Sequence, residues 1–149
     1  MSQAKLCLIL VLGLISVTAM ADEVDQRQSI QLNAKQHAHV LGEMRTLLSG
    51  TQAILAALSG NDMTTVAQQA RALGMSMVDK AENHLHDVLP PAFMQLGMSV
   101  HQDFDRIAAD AESLKDSKYT LKQLSTAMNT CTACHETYRL QTFCVELKP

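Results

Sequence analysis

Apolar residues recur along this chain at alternating steps of four and three, the period of helices that bury one face. The first stripe is His37, Leu41, Met44, Leu48, Thr51, Leu55 and Leu58, which predicts a helix over about 28–59. Gly60 is placed to end it in the left-handed conformation, and Asn61 or Asp62 to cap the next start. Val66, Ala70, Leu73, Met77 and Ala81 then predict a second helix over about 63–86. Pro90-Pro91 stops that run, because proline lacks an N–H and forces its predecessor out of helical geometry. Proline suits a first turn, so a third helix is expected from about 91, with Phe93, Gly97, Val100, Phe104, Ile107, Ala111 and Leu114 inward. The polar stretch 115–119 closes it, and Thr120 with Gln123 has capping-box spacing for a fourth helix. That helix carries Leu121, Leu124, Met128, Cys131, His135 and Tyr138 on one face. The expectation is an all-α fold, packed as an antiparallel up-down-up-down four-helix bundle.

Composition narrows this further. A chain of 149 residues supplies one domain, and with 3% aromatic residues and no Trp its core must be built from Leu, Ala, Val, Ile and Met. A net charge of −3 removes the dense cationic face that a nucleic-acid partner requires. The first residues are set apart from the fold: Lys5, the apolar run 6–17 and Ala19-Met20-Ala21 have the order of a secretory signal with a small-x-small cleavage site. The run is short of the roughly 20 residues that cross a bilayer. Residues 1–21 are therefore expected to be removed, leaving 22–149 as an acidic, exported, periplasmic domain without a membrane anchor.

The chemistry lies in Cys131-Thr132-Ala133-Cys134-His135, which reads as a covalent c-type haem attachment site. Thiols three residues apart on a helix lie on adjacent sides of one turn, where both can add to the vinyl groups of one porphyrin. His135 follows at once and can reach the iron from the proximal side. A thioredoxin-type pair would need a strand before the motif, and zinc would need a second ligand pair, which His84 and His86 could supply only by accident of the bundle. A Cys131–Cys134 disulfide suits helical geometry poorly. Because Cys131 and His135 share the apolar stripe, a haem is expected within the apolar centre of the bundle.

The segment from Cys131 to Arg139, with an aromatic and an Arg three and four residues past the His, resembles the class II c-type cytochromes, the cytochrome c-prime family. The segments 41–45 and 97–105 extend the likeness. The resemblance implies an exported four-helix bundle with one haem c per chain, held near the C-terminus. Its members include five-coordinate haems that bind only NO or CO well and low-spin haems with a first-helix Met on the iron. Met44 matches that distal position; the other reading is a core methionine, one of nine.

The remaining candidates are read in the same light. Arg139 is expected one turn beyond His135, either leaning on a porphyrin propionate or solvated near a helix end. His37 and His39 read as polar helix residues, and His101 as a hydrogen-bonded or half-exposed side chain rather than a ligand. In a continuing helix Cys144 would point about 180° from the haem face; a leftover thiol in an oxidising compartment hints at a homodimer. Two functions remain: a one-electron carrier serving a redox partner protein, and a module binding NO or CO at an open or displaceable distal site. No nucleophile with a paired base argues for an enzyme.

Overall fold

The computed structural model describes residues 25–78 and 83–143. The expected signal segment 1–21 and Cys144 lie outside the described residues. In chain order the elements are β1 (Gln28–Leu32), α1 (Ala34–Ser59), α2 (Met63–Leu73), the single turns α3 (Met75–Val78) and α4 (Asn83–His86), α5 (Pro91–Ser113), α6 (Ser117–Thr137) and β2 (Tyr138–Thr142). The fold is mostly helical, with one small sheet in which β1 and β2 pair in parallel.

That sheet corrects the expectation at both ends. Residues 28–33 are not helical: Ile30 and Leu32 are buried and alternate with the more exposed Ser29 and Gln31, which is strand periodicity. The helix starts after Asn33, whose Oδ1 accepts from the Gln36 N–H at 2.9 Å while Gln36 Oε1 accepts from the Asn33 N–H at 3.0 Å. This reciprocal cap satisfies two otherwise orphaned donors. The last helix likewise ends at Thr137, so Tyr138 and Arg139 belong to β2 and not to a further helical turn.

The buried face of α1 is turned by one residue from the expected stripe. Gln36, Val40, Gly50 and Ile54 point inward, whereas Leu48 and Leu55 are 71% and 42% exposed. Gly50 explains the rotation, since a Cβ there would come within 2.6 Å of the Leu73 side chain. Its smallness lets α2 approach, a signal that a stripe counted on leucines misses. At the C-terminus Gly60 has φ −94° and Asn61 takes the left-handed conformation, the reverse of the expectation. Asp62 caps α2 by accepting from the Thr65 N–H at 3.0 Å.

The second helix is shorter than its pattern. It ends at Leu73, and at the following Gly74 the Asp105 carboxylate comes too close for any Cβ and also accepts from the Met75 N–H at 3.0 Å. His101 sits buried at this break and donates Nδ1–H to the Leu73 carbonyl at 2.7 Å, a satisfied core histidine. Pro91 opens α5 as expected, and Val100, Phe104, Ile107 and Ala111 are buried, while Leu114 is exposed. Asp116 replaces the expected Thr120 cap of α6, accepting from the Tyr119 N–H at 3.0 Å. Thr120, Leu124 and Ala127 form the buried face of α6; Leu121 and Met128 lie outside it.

Two apolar clusters result. One joins Ile54, Val66, Leu73, Phe104, Ile107 and Leu124 across the four longer helices. The other gathers Ile30, Leu32, Val40, Leu85 and Tyr138 beside the sheet, with Met44, Phe93, Cys134 and Leu140 packed against it.

Candidate functional site

The second cluster surrounds a half-open cavity of about 250 Å³. Three elements bring the expected residues to its wall: Met44 from α1, Cys134 and His135 from the end of α6, and Arg139 from β2. Leu41, Phe93, Tyr138 and Leu140 supply apolar surface. Phe93 meets Tyr138 edge to face, with ring centroids 5.4 Å apart at 85°, fixing the base of α5 to the sheet.

Cys131 stands one turn back from this wall. It is exposed, and its S–H donates weakly to the Ala127 carbonyl at 3.8 Å. Cys134 is half-buried; neither thiol is bonded to another cysteine. Burial pushes both thiols above their ordinary value, and at Cys134 the neighbouring Cys131 adds to the rise. An activated disulfide-exchange pair has the opposite character, with one thiol lowered toward neutrality. His135 is exposed toward the cavity mouth. The centre of the four-helix cluster, where a haem was expected, is instead filled by side chains, and the cavity lies at the sheet end.

One cavity residue departs from its sequence reading and another had none. His37 lines the same wall as Met44, whereas His39 faces Glu43 with Nε2 3.4 Å from its carboxylate. The seven-residue spacing of His37 and Met44 already placed them on one face of α1. Arg27 escaped notice altogether, since nothing local marks a cation before a short strand as part of a site. Its Nε and Nη2 donate to Asp25 Oδ1 and Oδ2 at 2.9 and 2.7 Å, and its Nη1 donates to the His135 carbonyl at 3.2 Å. Arg139 Nε is buried, makes no hydrogen bond among the described residues, and faces Asp25 Oδ2 at 3.8 Å.

Among the described residues, no three His, Cys, Asp or Glu side chains converge as a metal site. An iron held here would need most of its donors from a porphyrin, which requires only one or two axial ligands from protein. The residues present fit that division: two thiols within one helical turn, an imidazole and a thioether brought to one cavity by different helices, apolar flanks and two cations. No described helix is long and apolar enough to cross a membrane. Comparison of the chain with protein-family models, curated proteins and solved structures returns no match.

Proposed function

We propose that this chain is an exported class II c-type cytochrome that carries one electron at a time in the periplasm. The observation that carries the reading is that Met44, far in sequence from the adjacent Cys134 and His135, lines one cavity with them. Cys131 and Cys134 would hold the haem by thioethers, His135 would be the proximal iron ligand and Met44 the distal one. When bound, the haem supplies a one-electron couple; its partner is another redox protein. The chain's own part is to fix the two axial side chains on separate helices, so that little rearranges when the charge changes, and to keep water from the apolar flank of Leu41 and Phe93. The helices are read as the antiparallel up-down-up-down bundle, supported by their short connections and by a core drawn from all four.

The second reading, a module for NO or CO, follows if Met44 only lines the cavity and leaves the distal side of the iron open. Visible spectra of the purified mature protein separate the two. The carrier predicts a weak far-red sulfur-to-iron band when oxidised and slow CO uptake when reduced. Met44→Ala should abolish the band and admit CO; an unchanged spectrum would make Met44 a packing residue. Bare sulfhydryls at Cys131 and Cys134 in protein made with intact haem-attachment machinery would refute the haem reading itself.

A further inference from the structure

Two guanidinium groups meet at this cavity because the sheet brings together segments from the two ends of the domain. Arg139 stands opposite Ser29 in the parallel register, and Arg27 precedes β1 by one residue. Both line the cavity while their side chains stay 40% and 35% exposed, so each spans the boundary between solvent and the apolar wall. The Asp25 carboxylate takes two bonds from the Arg27 side chain and one from its backbone N–H, and faces Arg139, which leaves one positive charge in excess. Asp25 is held down to about 2, first by the Arg27 side chain, so it remains an anion at neutral pH. A guanidinium carries five donors in a planar fork. Asp25 and the His135 carbonyl use three of those on Arg27, and Arg139 Nε has no hydrogen bond among the described residues.

An apolar wall edged on one side by two cations, in a chain whose net charge is −3, selects an amphipathic ligand with a carboxylate edge. We propose that Arg27 and Arg139 form a two-point clamp for the propionate carboxylates of the porphyrin, with Asp25 as the residue that positions both. This rests on the c-type haem reading above. Arg27 has a second task, since its bond to the His135 carbonyl ties the segment before β1 to the backbone of the proximal ligand.

The test uses the haem-loaded mature chain and the variants Arg27→Gln, Arg27→Lys and Arg139→Gln, with Arg71→Gln as a control at the remote Glu112 ion pair. Resonance Raman scattering reads the propionate-bending band, and potentiometry the reduction potential. Both glutamine variants should shift the band and lower the potential. Arg27→Lys, which keeps the charge and loses the fork, should shift the band with a smaller change in potential, and Arg71→Gln should move neither. Haem attached at both thiols by mass, with band and potential unmoved in Arg27→Gln and Arg139→Gln, overturns the clamp and leaves the haem reading standing. Absence of attached haem in the parent overturns both. Should Arg27→Gln fail to fold through loss of its backbone bond, Arg139→Gln decides, because it makes no such bond.

Discussion

Tyr138 joins the sheet to the helices and walls the cavity, so truncating it tests whether the second cluster holds the site together. The ring is 8% exposed. A buried aromatic removes about 150–250 Å² from water, worth on the order of 4–6 kcal/mol at about 25 cal/mol/Å² as an upper bound. Aromatic-to-alanine changes in cores cost about 3–5 kcal/mol, so Tyr138→Ala should lose about 3–4 kcal/mol. For a domain of this size that lowers Tm by roughly 10–15 °C. Far-UV circular dichroism melts would read it, with Tyr138→Phe retaining most of the parent stability because the ring remains. Phe93→Ala and the double variant complete a cycle whose coupling should be about 0.5–1.5 kcal/mol, the value of an edge-to-face pair. A Tyr138→Ala melt within about 3 °C of the parent, or a coupling near zero, would refute the packing argument.

Further expectations concern the helices and the thiols. Gly50→Val should cost about 2 kcal/mol by overpacking against Leu73, while Leu48→Gln stays within about 0.5 kcal/mol, and urea titration giving the opposite order would restore the leucine stripe as the buried face. Asn33→Ala should cost about 1 kcal/mol by removing the reciprocal cap; a loss of zero would mean that α1 begins elsewhere. In reduced, haem-free chain, burial raises both thiols above 9.0, so the thiolate fraction at a given pH falls and alkylation should reach its midpoint above pH 9. A midpoint below that value would contradict the burial of the pair.

What the sequence made legible was the part governed by local rules. The 3.6-residue period located all four longer helices, Asp62 and Pro91 marked two of their starts, and the Cys-x-x-Cys-His spacing singled out the residues on which the proposed haem site rests. The misses arise where a distant residue decides. The pairing of 28–32 with 138–142 is a tertiary event, and Tyr138 continues the helical stripe of α6 on paper although its partner strand draws it out of the helix. At the end of α2, Asp105 from α5 packs against Gly74 and bonds the Met75 N–H, which no pattern within 63–86 reveals. The rotation of α1 follows from Gly50, a residue that hydrophobic counting leaves out. Met44, Cys134 and His135 were singled out beforehand; Arg27 needed the sheet.

The parallel pairing also sets an order of events for the nascent polypeptide. Its strands are joined by contacts 110 residues apart in sequence, so this closure pays nearly the full loop entropy of the domain before it gains anything. The helices, made of nearer neighbours, can assemble first. The carboxyl end of α6, with Cys134 and His135, then stays unpinned until the last-made strand finds the first.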